Sequence, residues 1–117
     1  MQIFFVNTTV RKEDLPADLL SETTEELAKA VGKPAQLIAV HIHADQIMMI
    51  GGNVDPCALC SYHSIDKISC VKIKEYSKIL CGLLNKHLGI SPERICINFV
   101  EMDACHVAWN NTTLAEM

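Results

Sequence analysis

Few residues in this chain have the type and placement to do chemistry, and the first is the α-amino group of Met1. It stands at the head of the apolar run Ile3-Phe4-Phe5-Val6. An α-amine has an ordinary pKa of about 7.7–8.0, near the pH at which general bases work best. Gln2 is too long a second residue for the processing aminopeptidase, so Met1 is expected to stay and to carry that amine. The Gln2 carboxamide accepts no proton at neutral pH and reads better as a polar strand residue facing a polar neighbour. Cys57 and Cys60 form a C-x-x-C. Zinc needs four ligands, and no second pair stands at suitable spacing. A redox dithiol sits at a helix N-terminus, where the dipole lowers the thiol pKa. This pair straddles a strand start, and three residues along a strand place side chains on opposite faces. Buried thiols are therefore favoured, with thiol–disulfide exchange as the minor alternative. His41 and His43 share a strand face without a carboxylate or cysteine at ligand spacing, which favours structural or surface roles over a metal site. Lys33 follows a helix end, where a cation complements the dipole.

The elements that must position these residues follow from hydrophobic period and turn chemistry. Four consecutive large apolar residues, Ile3 to Val6, predict a strand over about 2–7, buried on both faces as in a parallel sheet. Asp14 and Pro16 are expected to open a helix. Its apolar stripe is Leu19, Leu20, Thr23, Leu27, Ala30 and Val31, with Glu22, Glu25, Glu26 and Lys29 on the other face. Gly32 and Pro34 stop it. A second strand spans 37–43, and 47–50 is expected to be a short edge strand before the turn at Gly51-Gly52-Asn53. A third strand spans 58–64. A second helix begins near Ser69 with the stripe Tyr76, Ile79, Leu80, Leu83, Leu84 and Leu88, closed by Gly89. The fourth strand covers 95–100, and Val107-Ala108-Trp109 forms a brief last one ahead of a loosely held tail.

Each half thus reads strand, long helix, Gly-then-Pro stop, strand. The expected fold is α/β: one domain over 1–117, built from β-α-β pseudo-repeats at about 1–50 and 51–117. A four-stranded mixed sheet carries both helices on one face. Its other face must then be covered by further copies of the chain, which predicts a homo-oligomer.

Composition narrows the function classes. Ten Lys+Arg against fourteen Asp+Glu give a net charge of −4. No basic patch interleaves with aromatics, so nucleic acid is not an expected partner. No apolar run approaches the ~18 residues of a membrane span, and no basic n-region marks a signal peptide. Six cysteines then read as thiols of a chain made in the cytoplasm. No cofactor or metal is expected.

Ordered blocks of residues carry a family resemblance. They include Val6-Asn7-Thr8, Gly32-Lys33-Pro34, Ile38-Ala39-Val40-His41, Asp45-Gln46, Gly51-Gly52, Asp55-Pro56-Cys57-Ala58-Leu59-Cys60-Ser61 and His63-Ser64-Ile65. Further on stand Tyr76-Ser77-Lys78, Leu80-Cys81-Gly82-Leu83-Leu84, Ile90-Ser91-Pro92 and Val107-Ala108-Trp109-Asn110-Asn111, with Ala108 where the family has Gly. The chain resembles the macrophage migration inhibitory factor family of the tautomerase superfamily, without a gap over all but its last two residues. The resemblance implies a homotrimer with cytokine-like signalling and a pocket for enolisable keto acids such as phenylpyruvate or dopachrome-type compounds. It also implies a cell-surface receptor, of the invariant-chain or chemokine-receptor kind, and export by a non-classical route. The family's base is an N-terminal proline, and the matching position holds Gln2. Lys33 matches the lysine that holds the substrate carboxylate, Ile65 a wall residue, and Asn98 an amide lent by a neighbouring subunit. Val107 and Trp109 match lining positions. Leu37 and Cys96 replace pocket tyrosines, so the implied tautomerase activity is absent or very weak unless the Met1 amine substitutes. Lys12 and Asp45 match a receptor-binding pair, and thiol–disulfide activity has been attributed to the C-x-x-C.

Overall fold

β1 (Gln2–Thr8) is the inner strand on which the sheet is assembled. The computed structural model describes residues 1–117. On one side β1 pairs in parallel with β2 (Ile38–His43), and on the other antiparallel with β3 (Ala58–Ser64). β3 pairs in parallel with β4 (Ile95–Glu101), so the order is β2-β1-β3-β4. A parallel pair requires a long crossover. The two crossovers carry α1 (Leu19–Val31) and α2 (Cys70–Leu88). The expected fold is borne out: a mixed four-stranded sheet of two β-α-β units with two helices.

Both helices lie on one face. Phe4 and Val6 of β1, with Ala58, Cys60 and Tyr62 of β3, point into a core with Leu27, Tyr76, Leu80, Leu84 and Ile90. Fully burying one such large side chain contributes about 1.5–3 kcal/mol. The reading of β1 as buried on both faces is corrected. Gln2, Phe4, Val6 and Thr8 are buried, while Ile3, Phe5 and Asn7 alternate with them and remain part-exposed. The helices cover one side only, and Ala39, His41, His43, Leu59, Cys96 and Asn98 are exposed on the other.

Helix ends follow local chemistry. Ser69 caps α2, its Oγ accepting from the Lys72 N–H at 3.2 Å. Gly32 and Gly89 close the two helices at φ 68° and 67°, where a Cβ would be strained. The start of α1 differs from expectation. Asp14 belongs to a 3-10 turn at Lys12–Asp14, and the helix opens only at Leu19 behind Asp18. Asp14 accepts from Arg11 instead. Leu20 also leaves the predicted stripe and is half-exposed, because Leu19, Thr23 and Leu27 already fill the sheet-facing side. No edge strand forms at 47–50. Ile50 makes one isolated bridge to Asn53, and Ile47 and Met49 project into solvent because this chain offers their backbone no partner strand.

The last strand is half of a hairpin, β5 (Ala108–Trp109) with β6 (Thr112–Thr113). Asn110 and Asn111 form its two-residue turn at φ 56° and 68°, the left-handed region that Asn tolerates. The tail folds into a 3-10 turn at Leu114–Glu116.

Candidate functional site

The chain terminus, the loop after α1 and the loop after β3 meet at one end of the sheet. The register makes this unavoidable: Gln2 stands opposite Ile38 on β2 and Ser64 on β3. Lys33 precedes β2 and Ile65-Asp66 follow β3, so both flank the start of β1. Lys33 Nζ lies 3.2 Å from Asp66 Oδ2. The Met1 amine is part-buried beside them. Its pKa is lowered, first by loss of hydration and then by the Lys33 cation, with Asp66 opposing.

Gln2 does not face this opening. Its side chain is 1% exposed, beneath the sheet among the helix-facing residues. Tyr62 donates its hydroxyl hydrogen to Gln2 Oε1 at 2.5 Å, and Gln2 Nε2 donates to Asp66 Oδ2 at 3.4 Å. A buried amide with neither end paired would cost about 1–3 kcal/mol, and here both ends have partners. Burial pushes the Tyr62 hydroxyl well above the usual phenol range, so it stays a neutral donor. The polar neighbour expected for Gln2 is therefore Tyr62.

The site residue that sequence reasoning missed is Asp66. It stands directly after Ile65, and nothing local marks it. Only the strand pairing brings it to Lys33, on a loop 33 positions away in a chain of 117. The carboxylate is also tied through its backbone, whose N–H donates to Ser64 Oγ at 3.0 Å.

Other candidates fall elsewhere. Asn98 pairs with Ser61, which stands opposite Phe5, so it sits three residues along the sheet from the Gln2 level, about 10 Å. It is exposed on the uncovered face and is not brought to Lys33 within one chain. Val107 and Trp109 lie on or beside the C-terminal hairpin, where the Leu114 N–H donates to the Val107 carbonyl at 3.0 Å and Trp109 is 39% exposed. Leu37 closes a 3-10 turn before β2, and Cys96 is exposed on β4. None of the five main concavities of the chain contains Lys33, Ile65 or Trp109.

Cys57 lies just outside β3, so the alternation argument does not reach it, and both thiols are buried. Burial pushes the Cys60 thiol up to about 12. Redox chemistry needs thiolate, and burial of this kind favours packing. His41 and His43 sit on the uncovered face, rings 5.1 Å apart, beside Phe5. Lys12 and Asp45 are exposed neighbours, the Lys12 N–H donating to Asp45 Oδ2 at 3.2 Å. No helix is long and apolar enough to cross a membrane.

Known proteins share this fold. The family model described as "Macrophage migration inhibitory factor (MIF)" matches residues 1–115. Macrophage migration inhibitory factor of Meriones unguiculatus is 55% identical over 115 residues, 98% of this chain and 100% of that protein. The Xenopus laevis protein of the same name is 47% identical over the same span and shares. Among solved structures, the factor from Trichinella spiralis superposes with a TM-score of 0.91 at 37% identity, covering 95% of this chain and 98% of that one. The homologue from Prochlorococcus marinus gives 0.88 at 28% identity, covering 96% and 98%. With its full-length match, its β-α-β pairs and its N-terminal strand inside the sheet, this chain belongs to the macrophage migration inhibitory factor family.

Proposed function

We propose that this protein is a cytokine-like signalling member of its family, a homotrimer whose tautomerase pocket is vestigial. The observation that carries this is the placement of Gln2. At the position where the family resemblance calls for a basic N-terminal proline, the side chain is a buried amide occupied by Tyr62 and Asp66. Its backbone nitrogen is spent in a peptide bond. Loss of a positioned general base typically costs ~10²–10⁴ in rate. The signalling surface is assigned to the exposed pair Lys12 and Asp45, as contact points for a cell-surface receptor. The trimer is supported by the uncovered sheet face and by exposed Ile47 and Met49, apolar residues that further copies would bury. Asn98 would then reach the Lys33 site of the neighbouring copy, with Ile65, Val107 and Trp109 lining it.

A second reading rests on the Met1 amine. Its lowered pKa leaves more of it neutral at pH 7 than an ordinary amine, and Lys33 lies close by. Against it stands distance: one extra residue displaces the nitrogen by roughly 3–4 Å, and reactive geometry tolerates much less. Enol–keto conversion of phenylpyruvate separates the readings. The expected result is little or no turnover by the unmodified protein. Robust turnover abolished by acetylating the α-amino group would establish the Met1 base. Turnover that survives acetylation would overturn both.

A further inference from the structure

We propose that Asp66 is a built-in carboxylate ligand of Lys33, held in place by Gln2, which closes this site to carboxylate-bearing molecules and leaves it selective for uncharged ones. The inference deepens the pocket reading above and rests on Lys33 being its anion anchor. Three ties fix Asp66: its backbone N–H on Ser64 Oγ at 3.0 Å, the Gln2 amide at 3.4 Å and Lys33 Nζ at 3.2 Å. Asp66 is the sole anionic partner within ion-pair reach of Lys33. Gln2 is fixed in turn by Tyr62, which is fully buried and packed against Tyr76 and Phe99 with ring centroids 5.8 and 5.4 Å away.

The identity of residue 2 follows from this chain of bonds. One end of its side chain must accept from a phenol while the other donates to a carboxylate, which an amide does and neither Glu nor Leu can. A Glu would set a second negative charge against Asp66, and a Leu would satisfy neither neighbour. Gln2 is thus a positioning residue. The ammonium it serves is 29% exposed and the carboxylate 50%, so the pair adds little to stability. Its consequence is competition. A tethered group acts at an effective concentration in the millimolar range or above. A free carboxylate must either displace Asp66 from Lys33 or bind beside a like charge. An uncharged ring meets neither obstacle.

Two probes of one shape test this, benzoate and benzamide, titrated by amide chemical shifts at Lys33 and Ile65. Asp66→Asn keeps the shape of the side chain and removes its charge. It is expected to bind benzoate on the order of tenfold more tightly than the unmodified protein, with benzamide unchanged. Adding Lys33→Gln should abolish the gain. Gln2→Met should raise the benzoate-to-benzamide affinity ratio in the same direction, by less. An Asp66→Asn protein that melts normally yet gains nothing for benzoate overturns the proposal. An equal gain for benzamide also overturns it, since Asp66 would then only fill space. A gain that persists with Lys33→Gln removes Lys33 as the anchor, and an unchanged ratio in Gln2→Met removes Gln2 from the device. Tautomerase turnover by the unmodified protein would defeat the vestigial-pocket reading without altering any of these affinities.

Discussion

The Met1 amine stands between opposite influences, and the charge of each neighbour, Lys33 and Asp66, can be removed by one substitution. Lost hydration and the Lys33 cation both favour the neutral amine, whereas the Asp66 carboxylate favours the ammonium. Lys33→Gln is therefore expected to raise the amine's pKa toward its ordinary value near 8.0, and Asp66→Asn to lower it further. Because lost hydration is the largest influence, Lys33→Gln should restore the value only in part. Titration of the isotope-labelled α-amino group by NMR reads both shifts. Movement of both variants in one direction would mean that neither charge acts on the amine as placed here. The position of the α-amine was legible in the sequence, since a strand beginning at residue 2 carries it to the end of the sheet. Asp66 was not legible, because its partner lies on another loop and only strand pairing joins them.

Between the helices the decisive group is Glu22 of α1. Its carboxylate takes Lys86 of α2 at 2.6 Å on one oxygen and His87 Nε2 at 2.7 Å on the other. The Lys86 hydrogen bond foremost, and that of His87 after it, hold the Glu22 carboxyl below its ordinary value of 4.5. The sign then follows from linkage: the folded state binds this proton less readily than the unfolded chain. The stability Glu22 contributes is present above pH 4.5 and is lost as pH falls through its lower folded value. Lys86 is raised by the same bond, so its share is present below 10.5 and lost as pH rises through the folded value. In Glu22→Gln the urea midpoint should fall less steeply between about pH 5 and 3 than in the unmodified protein. An identical acid limb in both proteins would show that this contact carries none of the linkage. The amphipathic period placed Glu22 on the solvent side of α1. It could not show that α2 crosses nearby, which depends on both helices choosing the same sheet face.

For the whole molecule the open question is what covers the second face of the sheet. Phe5 and Val100 are only part-covered there, next to exposed Leu59, His41, His43 and Asn98. Sedimentation equilibrium at micromolar concentration is expected to return three times the chain mass. Leu59→Asp, which sets a charge on that face without touching the core beneath, is expected to shift the protein toward monomer. A stable monomer without the substitution would overturn the trimer and, with it, the delivery of Asn98 to a neighbour's site.

By itself the sequence determined the elements and their order. Apolar period, glycine stops and proline punctuation act over a few residues, and they placed four strands, two helices and the brief strand at Ala108–Trp109 near their observed positions, but not the strand at Thr112–Thr113 that pairs with it. It also determined, through its ordered family blocks, which positions to inspect: Gln2, Lys33, Ile65, Asn98, Val107 and Trp109. Tertiary structure alone decided what those positions meet. The run Ile3 to Val6 looked uniformly buried because all four residues are apolar, yet alternation put only Phe4 and Val6 under the helices. Residues 47–50 had strand composition but no strand to pair with. Gln2 read as a missing base, and the fold made it the link between Tyr62 and Asp66. The physical reason is common to all three. Propensity belongs to a residue and its chain neighbours, whereas burial, pairing and charge environment belong to groups far apart in sequence that the sheet register brings within a few ångströms.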